Sequence, residues 1–237
     1  MKKILTFILL TSLFASCHYI NQKKIRGNGS IKTESRSAAN FNEVHVSGGI
    51  DVYIKQDSAY SVKVEADENL QEYIIIETDG DELIVKEKDG YNPSGHIKVY
   101  VSSPNYKNLH ASGACSIIGE NKISSSSEIE IDLSGASHVD VELKTPKVDA
   151  GTSGAGTITL RGETKDFYVH GSGSSTIRCA NLMAENVDVS ISGAGNAEVY
   201  ASVKLDVGVS GAGDVRYRGN ATLSKSISGA GSVSKMD

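Results

Sequence analysis

Ser-Gly pairs recur along the C-terminal half of the chain at Ser112, Ser134, Ser153, Ser172, Ser192, Ser210 and Ser228, with successive spacings of 22, 19, 19, 20, 18 and 18 residues. A short fixed period marks a repeat architecture, because a unit of that size cannot bury a face alone and must stack on its neighbours. Four copies read Ser-Gly-Ala-Gly, and an outlying copy, Ser47-Gly48-Gly49, stands 65 residues upstream of Ser112.

Aligned on the serine, the copies alternate with period two. Five, three and one residues before it come Ile129, Ile131 and Leu133, then Val148, Ala150 and Thr152, then Val187, Val189 and Ile191, then Leu205, Val207 and Val209. Five and seven residues after it come Val139 and Val141, Ile158 and Leu160, Ile177 and Cys179, Ala197 and Val199, Val215 and Tyr217. Alternation places these side chains on one face of a strand, whereas a helix of 3.6-residue period would scatter them. Each unit holds two strands around the Ser-Gly corner, with room for a short third near Lys204 or Ala221 to Leu223. The 24 glycines against 3 prolines suit tight corners that need positive φ.

The resulting expectation is an all-β chain, a right-handed β-helix or β-solenoid of coils of about 18–22 residues spanning 30–237. Within it, residues 56–106 break the period and read as a less regular β subregion, a small antiparallel insertion near the N-terminus. Asp79-Gly80-Asp81, between two apolar runs, reads as a hairpin turn. The last copy, Ser228 to Lys235, carries no evident cap, so the coil ends are candidates for homo-oligomeric pairing.

The first residues have a different origin. Lys2 and Lys3 precede an apolar run from Ile4 to Phe14, too short to span a bilayer, and then Ala15-Ser16-Cys17. Residues 1–16 read as a signal peptide, Cys17 as the acylated first residue of a lipobox with Phe14 in place of the usual leucine, and 17–29 as a lipid-proximal tether. The expected location is exported and anchored at the cell envelope, in the outer membrane.

Without residues 1–16 the chain carries 22 basic and 29 acidic residues, a net charge of −7. Nucleic acid is a poor partner for such a surface, since phosphate binding needs a basic stripe. Cys115 and Cys179, the other cysteines, read as buried small hydrophobes and do not make a disulfide scaffold.

Phe41 with Val44-His45-Val46-Ser47-Gly48-Gly49-Ile50-Asp51-Val52, then Val64 to Leu70, then Leu83-Ile84-Val85 and the Ser-Gly repeats, form an ordered set. Over roughly residues 41–225 that set resembles the family described as putative auto-transporter adhesin, head GIN domain, of exported Bacteroidetes proteins. The resemblance implies a β-helix-like fold and a cell-envelope location, and it brings no binding residues to transfer. In such bacteria acidic runs after the acylated cysteine accompany surface display. His18-Tyr19-Ile20-Asn21-Gln22 has none, which favours the periplasmic face.

Three outward stripes hold the candidate functional side chains. Four residues before the serines from Ser134 onward come Glu130, Asp149, Tyr168, Asp188, Asp206 and Ser224, and six residues after them come Asp140, Thr159, Arg178, Glu198 and Arg216. The first stripe stacks carboxylates, which repel by about 0.8 kcal/mol per pair ~5 Å apart in water. Clustered oxygens suit Ca²⁺, but the six to eight ligands it takes and its nonapeptide signature are missing, so solvated charge is expected. In the second stripe Arg178, Glu198 and Arg216 alternate in sign and would hold register between coils. His45, His110 and His170 face outward in mostly non-adjacent coils with no metal-ligand spacing, so no metal and no cofactor are expected.

Catalysis through a serine is disfavoured because the motif repeats at every coil and no Gly-x-Ser-x-Gly elbow exists. The expected function is a non-catalytic, adhesin-like or scaffolding module with a glycan or envelope-protein ligand. The alternative is a glycan-processing enzyme working through Glu130, Asp149, Asp188 and Asp206.

Overall fold

A computed structural model describes residues 22–236. The signal peptide over 1–16 and the acylation site Cys17 lie outside the described residues. The chain is all-β, 73% strand and 3% helix, and forms a β-solenoid of about 7 turns.

Two leading strands, β1 (Lys23–Arg26) and β2 (Ile31–Arg36), precede the first coil, which consists of β3 (Glu43–Gly48) and β4 (Asp51–Gln56). The insertion follows as β5 (Ser61–Asp67), a 3₁₀ turn at Glu68–Tyr73, β6 (Ile74–Asp79), β7 (Glu82–Glu87), β8 (Tyr91–Ser94) and β9 (Ile97–Ser103). The coils resume with β10 (Asn108–Gly113), β11 (Ser116–Gly119), β12 (Ile123–Ser124) and β13 (Ile129–Gly135). They continue in the long bent strands β14 (His138–Gly154), β15 (Thr157–Gly173), β16 (Thr176–Gly193) and β17 (Asn196–Gly211), and close with β18 (Asp214–Arg218), β19 (Thr222–Gly229) and β20 (Ser232–Lys235). The short third strand expected per unit is separate in one coil, as β12, and elsewhere merges into its neighbours: Lys204 lies within β17, and residue 222 opens β19.

Successive coils pair in parallel with the serines in register, Ser47 on Ser112 on Ser134 on Ser153, and onward through Ser172, Ser192 and Ser210 to Ser228. The outlying copy is therefore the first coil. The insertion is looped out between two coils that touch directly, which the 65-residue gap had concealed. Its own strands pair antiparallel, as expected, and parallel pairing joins it to the first coil. Strands β6 and β7 form the expected hairpin, with Asp79 opposite Glu82, while β7 and β9 pair in parallel with β3 and β4. They lay one more layer on the solenoid, covered in turn by β5 and β2 in antiparallel pairing. Leu70, Phe41 and Ile74 plug this end and are fully or almost fully buried.

The corner explains the repeat. Gly154, one residue after Ser153, has φ of 98°, and a Cβ there would lie 2.6 Å from the carbonyl oxygen of Gly135 one coil earlier. An L side chain is excluded both by the backbone and by the preceding coil. That close approach is what lets the ladder continue around the bend: the amide of Ala155 donates to Gly135 O at 2.8 Å, and Ala136, Ala194, Ala212 and Ala230 donate to equivalent glycines at 2.8 Å.

The interior is a single column. The alternating residues at both strands of every coil from Val44 to Val215 are buried, so the period-two reading gives the core directly. Cys115 and Cys179 are free thiols within it. Burial pushes Cys179 up to about 12 and raises Cys115, so neither is a thiolate at neutral pH.

The expected tether over 17–29 is corrected from residue 23 onward. Strand β1 pairs in parallel with β8, matching Lys23 to Tyr91 and Arg26 to Ser94, and Ile25 packs against the core. Ile25, the ladder with β8 and the Asn69 amide on Arg26 O dock it.

Candidate functional site

The serine column lines a shallow groove of about 600 Å³ that runs across the coils, bordered by Ser153, Ser172, Ser192 and Ser210, with Gly151, Gly171 and Gly208 among its lining residues. Two residues before the corner stand Gly151, Ser190, Gly208 and Ser226, small residues that keep those parts of the trough open, and strand pairing repeats the corner hydroxyls at ~4.8 Å. Asp132 and His170 stand on either side of Gly151: a Cβ there would be 2.8 Å from Asp132 Oδ1 and 3.3 Å from His170 Nε2. His170 Nε2 also lies 3.8 Å from Asp149 Oδ1.

The stripe four residues before the corner is in register as aligned, Glu130 beside Asp149 and Asp188 beside Asp206, with Tyr168 between the two pairs. It extends further than the repeat alone indicated, because Glu130 is followed by Asn108, Glu43 and Glu82 on the preceding strands. Partial desolvation, followed by the neighbouring Asp132 and Asp149, raises the Glu130 carboxyl above its usual range. Elsewhere cations balance the stripe: Lys204 Nζ is 2.5 Å from Asp206, and Lys147 bonds Glu128 at 2.7 Å while lying 5.0 Å from the Tyr168 ring centroid.

The second stripe also keeps its register, Arg178 beside Glu198 beside Arg216, and Arg216 forms an ion pair with Glu198. Asp140, in the same column, pairs with Arg161 at 2.6 Å. Toward the insertion the column continues through Ile118 and Tyr53 to Tyr100 and Lys63. Tyr53 and Tyr100 stack with centroids 5.3 Å apart, and Lys98 Nζ is 5.4 Å from the Tyr53 ring. This aromatic end was invisible in the sequence, since Tyr53 and Tyr100 meet only when the insertion folds back onto the first coil.

The same looping corrects the view of the histidines. His45 and His110 occupy adjacent strands, with ring centroids 4.4 Å apart in an edge arrangement, and His45 Nδ1 is 3.4 Å from Glu82. Burial first, and then the His45 ring, lowers the His110 pKa. Among the described residues no three His, Cys, Asp or Glu side chains gather as metal ligands.

The family model described as putative auto-transporter adhesin, head GIN domain, matches residues 40–221. No curated protein matches the chain. A crystal structure of a putative adhesin from Bacteroides fragilis is similar with a TM-score of 0.84 at 22% identity, covering 90% of this chain and 100% of that one. A putative adhesin from Parabacteroides merdae has a TM-score of 0.71 at 24% identity, and a putative lipid binding protein from Parabacteroides distasonis 0.70 at 24%. Each covers 91% of this chain and 100% of its own. At these identities the likeness is one of fold.

Proposed function

Since the chain belongs to the family described as putative auto-transporter adhesin, head GIN domain, we propose that it is a non-catalytic binding module, exported and lipid-anchored at the cell envelope through Cys17. The observation that carries this reading is the hydroxyl-lined groove, in which the same group recurs coil after coil. A repeated surface suits a repeated or extended ligand, such as a glycan chain or a strand of an envelope protein, because each coil offers the same contact one step further on. It does not suit a single reacting atom.

The groove can be blocked without disturbing the fold. A Cβ at Gly208 meets nothing closer than 3.8 Å, so Gly208→Arg fills the trough from an unstrained position. On glycan and envelope-protein arrays the mature chain is expected to bind a ligand that Gly208→Arg no longer retains. Binding that ignores the substitution would place recognition elsewhere.

A second reading has one observation in its favour: the raised Glu130 carboxyl beside Asp149 is an arrangement that general acid catalysis on glycans uses. Polysaccharide turnover that disappears in Glu130→Gln would establish it over the first.

A further inference from the structure

We propose that the two-stranded sheet of β1 and β8 is a headgroup-binding face, which lays this end of the solenoid on an anionic phospholipid surface. The proposal rests on the reading of Cys17 as an acylated anchor.

From Lys23 onward the chain is fixed to the domain. The Lys23 amide donates to Gly90 O and the Gly27 amide to Ser94 O, both at 2.9 Å. Asn69 clamps the next bend, donating to Arg26 O at 2.9 Å and accepting from the Asn28 amide at 3.0 Å. The buried Asp67 carboxylate then accepts from the amides of Gly29 at 2.5 Å and His96 at 2.9 Å. Residues 18–22 alone separate Cys17 from this docked strand, a reach of at most about 20 Å for an extended chain. An acyl group on Cys17 therefore keeps β1 and β8 within about 20 Å of the membrane.

The side chains there fit what they would meet. From residue 18 to residue 33 the sequence contains Lys23, Lys24, Arg26 and Lys32 and no acid, in a chain whose net charge is −5. Lys23, Lys24 and Arg26 are exposed, β8 is uncharged, and the turn before it adds Lys88 and Asp89. Lys88 Nζ lies 5.5 Å and 5.8 Å from the ring centroids of Tyr91 and Tyr73, which pack 4.8 Å apart and are partly exposed. Alternation along the pair turns Ile25 and Pro93 inward and leaves Lys24, Arg26, Asn92 and Ser94 on the outward side, with Lys23, Lys88, Tyr73 and Tyr91 along its edge. A cationic face edged by tyrosines is the composition of a headgroup interface, where phosphates take the charge and the rings sit at the boundary.

Docking this face sets the direction of the whole molecule. Gln22, Tyr91 and Asn92 line the same depression as Ser47 and Ser112, so the serine column begins at the lipid. Its seven steps of ~4.8 Å carry the hydroxyls some 34 Å outward to Ser228.

The chain has no tryptophan, so an introduced one is a unique reporter. The acylated mature protein, carrying either Asn92→Trp or Ser226→Trp, is reconstituted into phosphatidylglycerol-containing vesicles doped with brominated lipid. Quenching of Asn92→Trp is expected to exceed that of Ser226→Trp at least twofold. Combining Asn92→Trp with K23S/K24S/R26S should abolish the excess while the protein still floats with the vesicles. Equal quenching at the two positions, or quenching unchanged in the triple variant, overturns the docking face. The mass of the N-terminal peptide tests the anchor separately. An unmodified Cys17 with Asn92→Trp still preferentially quenched upholds the face and removes the anchor, whereas an acylated Cys17 without the excess does the reverse.

Discussion

Ser175 fills the space that Gly171 leaves empty: a Cβ on Gly171 would stand 2.3 Å from the Ser175 hydroxyl across the inside of one corner. Gly195 makes room for the same Ser175 hydroxyl, at 2.4 Å. Further along the sizes reverse: Gly213 makes room for Ile191 and Gly231 for Val209, with would-be Cβ contacts of 2.6 Å each. Gly171→Ala is therefore expected to cost about 1–3 kcal/mol through overpacking. Adding Ser175→Gly should recover most of that loss, because the Ser175 hydroxyl is buried with no hydrogen-bond partner and gives up nothing when removed. Urea unfolding of the two single variants and the double one reads the coupling, and additive losses would show that the corner does not trade volume.

Glycine at the corner and glycine in the groove should respond oppositely to a methyl group. Gly154→Ala puts a Cβ 2.6 Å from Gly135 O at φ of 98°, which is expected to cost at least ~3 kcal/mol, well beyond the 1–2 kcal/mol of the left-handed conformation alone. Gly208→Ala has open space and ordinary backbone, and is expected to be neutral or stabilising by about 0.5 kcal/mol. Thermal melts of the pair give the contrast directly.

Acid should weaken the fold through His110. Its folded pKa is lowered, so below the unfolded histidine value of about 6.5 the unfolded chain binds the extra proton. Stability from this group is thus full above that pH and falls as pH drops through the lowered folded value. His110→Asn is expected to flatten the stability profile between about pH 7 and 5. A profile as steep as the wild type's would assign the dependence to other groups.

The exposed ion pair of the second stripe is expected to contribute little to the stability of the fold. Arg216 is exposed, and its pair with Glu198 lies in water, so Arg216→Gln should change stability by no more than about 0.5 kcal/mol. A loss above ~1 kcal/mol would mean that the ladder acts cooperatively.

Asp67 is expected to control the leading strand. Asp67→Ala strands the Gly29 and His96 amides and opens the joint with β1, at a cost of about 1–3 kcal/mol. Hydrogen exchange should accelerate over residues 23–30 while the coils from β13 to β17 keep their protection.

The repeat was legible because its cause is local. Each corner needs a positive-φ glycine, each strand needs period-two burial, and both requirements write themselves into consecutive residues, as from Ile129 to Val141. The columns of Glu130, Asp149, Asp188 and Asp206 and of Arg178, Glu198 and Arg216 followed by simple alignment, since parallel in-register stacking turns sequence period into spatial contact.

Contacts across the insertion were decided only by the tertiary structure. Ser47 meets Ser112, His45 meets His110, Tyr53 meets Tyr100, and Lys23 to Arg26 become a strand, in each case between segments far apart along the chain. Nothing in the local pattern of either partner specifies the other. Their meeting depends on how β7 and β9 close over the first coil, where burial of Phe41, Leu70 and Ile74 fixes the layer and the strand edges then choose their partners.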